Sequence, residues 1–327
     1  MVLASAAVSK TGVRGGARTG TARPSQARRP PSRFRPRCRP AAGERRAGRT
    51  DAPRRGNVAA RSAASPPSAL APPAVYKAAC STAEAKAKYS WDKTLVLGFL
   101  AGSLIGIGAL LCSVVSGSSP GLASSDPGLA SFLKGAIGLP AGLSMVVLTG
   151  AELFTGNVFV MISGLLAGRV KAMNLLKNWF WSFNGNFAGS VFVAFLSFLA
   201  CTTSSEALTA AVTKAAVAKV SMSFGVLFAK GVLCNWLVCL AVWMAMASNT
   251  VPGKLLGIFI PISTFVTLGA EHSIANQFLI SQGILAGADI SIKQFLVGNM
   301  LPVTLGNIVG SAVFVALAHW YAYDLRA

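Results

Sequence analysis

Charge is what this sequence has least of. Only 12% of its 327 residues are Asp, Glu, Lys or Arg, about half of the roughly 25% usual in a soluble domain. Histidine is scarcer still, with His272 and His319 alone. A membrane-embedded enzyme or pigment protein would need paired carboxylates or several histidines on facing helices, and neither is present, so no enzymatic activity is expected. The six cysteines (Cys38, Cys80, Cys112, Cys201, Cys234 and Cys239) form no C-x-x-C pair, so neither a zinc site nor a disulfide framework is implied. No metal or cofactor is expected. No apolar stretch of signal-peptide length precedes residue 94, which argues against a secretory signal.

What the chain has in quantity is apolar sequence: 53% hydrophobic residues and a mean hydropathy of +0.57. Residues 94–116, 178–203, 220–250 and 294–318 are each long enough to span a bilayer at about 1.5 Å per residue. Two further stretches, 135–168 and 255–288, fit no simple helix. Each has 34 residues and is interrupted only near its middle, by Glu152 in one and by Glu271-His272 in the other. One span needs about 20 residues and two with a turn about 45, so this length fits a helix broken at membrane depth.

An internal repeat supports the same reading. Gly150-Ala151-Glu152, Asn157 and Phe159 recur 119 residues later as Gly269-Ala270-Glu271, Asn276 and Phe278. Gly185-Asn186 and Gly189-Ser190 recur 121 residues later as Gly306-Asn307 and Gly310-Ser311. The expected fold is therefore an all-α membrane protein. Its six transmembrane helices form two three-helix repeats, and an odd number of spans per repeat inverts one against the other. Small residues at four-residue spacing (Gly98, Gly102 and Gly106; Gly185 and Gly189; Gly306 and Gly310) suit close helix packing. Basic residues favour the N-terminal side by a modest margin, placing Lys254 with Lys77–Lys93 and setting Lys134 and Lys219 opposite.

Most of the formal charge of +20 belongs to the N-terminus, where residues 1–75 carry 16 Arg or Lys against Glu44 and Asp51. A nucleic-acid-binding arm would interleave aromatics, and Phe34 is alone. An Arg- and Ser-rich, acid-poor leader reads instead as an organelle transit peptide that is removed, and no nucleic-acid partner is expected. Residues 76–93 form a short interfacial pre-helix, 94–320 the membrane domain and 321–327 a tail.

Broken helices expose backbone groups that survive at bilayer depth only inside protein or beside a wet cavity. The half-helices that follow Glu152 and Glu271 would turn their positive N-termini to the midplane, where anions are attracted. Glu152 and Glu271 are placed to cap those N–H groups and hold the loops, a role preferred to ligation of a passing ion. His272 is either a satisfied core histidine or, as we favour, a proton-exchanging gate residue. Lys230 either snorkels or pairs with a glutamate, or it adds positive potential near the pore. Asn235, one turn on, is placed to bond a helix break or the solute.

Taken together, the segments 151–157, 230–236 and 271–276 and the paired Gly-Asn-x-x-Gly-Ser motifs resemble the formate/nitrite transporter family across about residues 90–320. With the Arg-rich leader, the chain looks like its green-algal chloroplast-envelope branch. The resemblance implies an aquaporin-like fold, a homopentamer in membrane lipid with one pore per subunit, and a small monovalent anion as cargo. That cargo would be nitrite first, with bicarbonate or formate as alternatives. It implies that His272 is the central pore histidine, Thr155 the polar residue of the first broken loop and Lys230 the vestibule lysine. Leu153, Phe154, Leu143 and Phe265 would form apolar constrictions, while Asn157, Ser273 and Asn276 would stabilise the loops with the two glutamates. Gln277 stands where many members carry Met. A neutral-solute channel of aquaporin type is less well supported, because neither broken motif contains Asn-Pro-Ala.

Overall fold

A computed structural model describes residues 69–325. The expected leader, up to residue 68, lies outside the described residues. Every regular element among those described is helical: α1 (Pro72–Ala87), α2 (Trp91–Gly117), α3 (Pro120–Ser125), α4 (Pro127–Thr149), α5 (Phe154–Leu166), α6 (Ala172–Leu199), α7 (Glu206–Val220), α8 (Phe224–Ala247), α9 (Val251–Thr267) and α10 (Ser273–Leu285). Last comes α11 (Gln294–Leu325), a continuous helix with π-helical turns. Five of these, α2, α4, α6, α8 and α11, are long and apolar enough to cross a membrane. The helices α5 and α9 are shorter apolar pieces. In the second broken segment neither half alone, α9 with 17 residues or α10 with 13, reaches spanning length.

Both breaks fall where the length anomaly puts them, at 150–153 and 268–272. Each contains a glycine in the left-handed region at its start, Gly150 (φ 71°) as the first residue of one and Gly269 (φ 66°) as the second of the other, where a side chain would clash with its own backbone. Matching prolines, Pro140 in α4 and Pro261 in α9, sit inside the preceding helices.

Glycine stripes bring the helices unusually close. A Cβ at Gly102 would lie 2.0 Å from the Asn186 carbonyl oxygen, and one at Gly189 would lie 2.0 Å from that of Phe99. The second half repeats this crossing between α8 and α11, where Gly306 and Gly310 meet the Phe228 and Val232 carbonyls. Because membrane helices gain little from hydrophobic association, such contact supplies much of their attraction.

The pre-helix α1 is more than an interfacial strap. It buries Val75, Tyr76, Ala79, Cys80 and Ala83, and Tyr76 donates its hydroxyl to the Ser163 carbonyl at 3.3 Å. Burial pushes the Tyr76 hydroxyl and the Cys80 thiol above their ordinary pKa values.

Candidate functional site

Two asparagines clamp the two breaks with the same set of bonds. Asn186 on α6 gives its amide hydrogens to the Gly98 and Glu152 carbonyls (2.8 and 2.9 Å) and accepts the Phe154 N–H at 2.8 Å. Asn307 on α11 gives its own to the Gly231 and Glu271 carbonyls (2.8 and 2.9 Å) and accepts the Ser273 N–H at 2.9 Å. At each break one side chain from the neighbouring repeat motif thus takes a freed carbonyl and a freed N–H, while the Glu152 and Glu271 N–H groups donate to the Leu97 and Lys230 carbonyls.

The glutamates do not cap the half-helices. The Phe154 and Ser273 N–H groups are already taken by asparagine, and the carboxylates turn the other way. Glu152 (1% exposed) pairs with Lys86 from α1 and accepts from Asn157 (2.8 Å) and Asn178 (2.9 Å). Glu271 (4% exposed) pairs with Lys219 from α7, at 2.9 and 3.1 Å, and accepts from Asn276 at 2.6 Å. Asn299 accepts from Asn276 at 3.0 Å and donates to the Lys219 carbonyl at 2.8 Å. A buried carboxylate is tolerated only with a countercharge and filled lone pairs, and each glutamate has both.

Lys86, Lys219, Asn178 and Asn299 were not singled out from the sequence, though a signal was there. Lys86 and Lys219 stand 133 residues apart, as do Gly98 and Gly231. Extending the repeat one helix toward the N-terminus pairs α1 with α7. Lys230 is not the partner of Glu271; its ammonium donates to the Gly269 carbonyl at 3.1 Å. Asn235 bonds beside the breaks and not to them, donating to the Thr155 carbonyl in α5 (3.2 Å) and the Asn307 carbonyl in α11 (2.8 Å).

The N-termini of α5 and α10 meet head to head. Thr155 Oγ1 lies 2.9 Å from His272 Nε2, with both residues buried. His272 caps α10, its Nδ1 accepting the Ala275 N–H at 3.1 Å. That bond fixes Nδ1 as an acceptor, so the neutral ring carries its proton on Nε2 and donates to Thr155. The threonine hydroxyl keeps its own hydrogen free to donate.

Three cavities lie in file through this point. The first, about 410 Å³, is lined by Lys134, Lys219, Lys230, Glu271, His272 and Phe265, among others. The second, about 200 Å³, is lined by Lys86, Lys254, Leu143, Leu153 and Asn157, among others. Between them is a constriction of only about 10 Å³, walled by Ile105, Leu139, Leu143, Leu153, Val238, Ile262, Phe265 and His272, room for about one water. The basic residues divide between the two larger cavities as their sequence positions imply, Lys86 and Lys254 at one, Lys134 and Lys219 at the other.

Leu143, Leu153 and Phe265 thus wall the constriction, but Phe154 does not. Its ring packs edge-on against Trp179 and Phe183 (5.9 and 5.1 Å) and lines a separate apolar groove beside α6 and α11. Leu153 is the extended residue before α5 and Phe154 the first of that helix, so the two neighbouring side chains leave the backbone in different directions and Phe154 lies outside the file. Ser273 contributes its backbone N–H to the Asn307 clamp, and Gln277 is fully buried outside the three cavities.

Comparison with known proteins places this architecture among relatives. The formate/nitrite transporter family profile matches residues 73–321. The chain is 45% identical over 269 residues to a probable formate transporter of Methanothermobacter thermautotrophicus, covering 77% of this chain and 96% of that protein. It is 39% identical over 231 residues to a formate channel of Bacillus thuringiensis, covering 70% and 86%. Among solved structures it is similar to an FNT family ion channel (TM-score 0.69, 31% identity, 76% of this chain and 98% of that one). It is also similar to a pentameric formate channel with formate bound (TM-score 0.61, 32% identity, 71% and 97%).

Proposed function

Because the chain belongs to the formate/nitrite transporter family of membrane anion transporters, we propose that it passes a small planar monovalent anion, formate or nitrite, through the three-cavity file. The observation that carries this is the constriction, where an apolar ring with room for one water is interrupted only by His272, hydrogen-bonded to Thr155 between two converging helix N-termini. Formate gains support from the relatives and neighbours described above, three of which carry it in their names. Nitrite has the same size, shape and charge.

The cavities supply positive charge on both sides, and the positive ends of α5 and α10 continue it to the centre. A bare anion in the apolar ring would lose its water shell at a cost of at least several kcal/mol. The free Thr155 hydroxyl replaces part of that shell. A proton arriving at His272 Nδ1 displaces the Ala275 N–H and makes the ring cationic; Nε2 then passes its proton to the Thr155 oxygen as the Thr155 hydroxyl gives its own to the anion. The ring is left neutral with its proton on Nδ1, and loss of that proton with uptake of one at Nε2 restores the cap, so the histidine is charged only in passing. The anion crosses as its neutral acid, in a proton-coupled or channel-like cycle. Around this pathway we place six spans in two inverted repeats, in the aquaporin-like arrangement, with five subunits in the assembly. The Arg- and Ser-rich, acid-poor leader is what supports a chloroplast envelope membrane as the protein's location.

Liposome flux of formate, nitrite and bicarbonate at two pH values tests this reading. Wild-type formate and nitrite uptake is expected to rise as the outside is acidified, and His272→Phe to lose both the flux and its pH dependence. Unchanged flux in His272→Phe would remove the histidine from the mechanism. Faster passage of bicarbonate would reassign the cargo.

A further inference from the structure

The larger cavity holds three lysines, and their circumstances differ. Lys219 is neutralised, both oxygens of Glu271 lying within 3.1 Å of its ammonium. Lys230 has its ammonium tied to the Gly269 carbonyl. Lys134, half-buried on the second turn of α4, has a side-chain ammonium with no hydrogen-bond or ion-pair partner among the described residues, although it lines the same cavity. Its backbone is held in place, the carbonyl accepting the Cys112 thiol and the flanking Gly135 packed against Ser263 and Thr267 of α9.

With Glu271 the only acid in the lining, the cavity carries two uncompensated positive charges. An ammonium kept out of bulk water gains from any acceptor that arrives, most of all a charged one. We propose that Lys134 is the docking cation of this cavity, an anion subsite where a small carboxylate or nitrite is held before it enters the constriction walled by Leu139 and Phe265. Lys230 contributes field alone, and Lys219 belongs to the loop framework. The proposal rests on the transport reading, and it names the residue that sets affinity as distinct from the step that sets rate.

The test uses the full chain in two formats. In proteoliposomes, formate uptake is followed against concentration for wild type, Lys134→Gln, Lys134→Arg and Lys230→Gln. In detergent, the rise in thermal midpoint with added sodium formate over sodium gluconate reports binding without passage. Lys134→Gln is expected to raise the half-saturating concentration about tenfold, the loss of one charge-assisted hydrogen bond. Its maximal rate should stay within about twofold, and the formate-induced midpoint shift should disappear. Lys134→Arg is expected to keep both, and Lys230→Gln to move half-saturation less than Lys134→Gln. A Lys134→Gln protein with wild-type half-saturation and midpoint shift overturns the subsite, whatever the flux. Wild type that shows the shift, loses it on Lys134→Gln and yet conducts nothing overturns the transport reading and leaves the subsite standing.

Discussion

Two kinds of residue do the chemical work here, and they fail differently. In the proposed pathway Thr155 and His272 face the cargo, so their loss should change passage first, with a smaller cost to the fold at His272, where the α10 cap is lost as well. Thr155→Val removes the free hydroxyl; a hydrogen bond to a charged group is worth about 1.5–3 kcal/mol. Flux should fall at least tenfold by the same liposome assay, and Thr155→Ser should retain it. Lys219 and Glu271 hold the loop. Lys219→Met leaves a carboxylate buried without a countercharge, which costs about 3–5 kcal/mol. We expect its thermal midpoint in detergent to drop sharply, and the double variant Lys219→Met/Glu271→Gln to recover most of the loss. A double variant as unstable as the single one would mean that the pair is not the unit described here.

At the scale of elements, the breaks depend on how closely their neighbours approach. Asn186 reaches the Glu152 carbonyl and Phe154 N–H of the first break, and the Gly98 carbonyl of α2, because Gly102 and Gly189 let α2 and α6 touch backbone to backbone. Gly189→Val would force those helices apart, and overpacking of this kind costs about 1–3 kcal/mol or more. Its expected signature is lower thermal stability together with reduced flux, since the Phe154 N–H anchor is lost as well. The same substitution at Gly168, which sits at a turn with nothing within 4 Å of a built Cβ, would act only through its left-handed φ of 69° and should leave flux unchanged. Among these elements, the breaks could be read from sequence because 34 residues is a length that one helix cannot use. The clamp could not, because nothing in a Gly-Asn-x-x-Gly-Ser motif says which loop the asparagine meets.

At the scale of the molecule, α1 and the residues just before it are held against the membrane helices and the site. Leu70 N–H donates to the Ala247 carbonyl at 2.7 Å, and Lys86 neutralises Glu152. A processing event that took α1 would strip that countercharge, so removal of the leader is expected upstream of residue 69, short of the full 1–75 that composition alone indicates. Mass spectrometry of the mature N-terminus decides this. The apolar side chains left exposed along α6, among them Phe192, Phe195 and Leu199 at 48–60%, are expected to face lipid or neighbouring subunits. Native mass spectrometry should give a five-subunit species.

The sequence by itself determined the features that depend on local length and composition. These are the apolar helices, the two interrupted segments, their duplication, and a lone intramembrane histidine beside a break. Only the tertiary structure decided which side chains face one another. It turned Phe154 out of the constriction, moved the glutamates from helix caps to ion pairs, brought Lys219 to Glu271 while Lys230 met the Gly269 carbonyl, and left the Lys134 ammonium without a partner among the described residues. The physical reason is that a helix rotates about 100° per residue and a buried charge takes whichever partner the packing brings within reach. Neither fact is written in the order of residues along the chain.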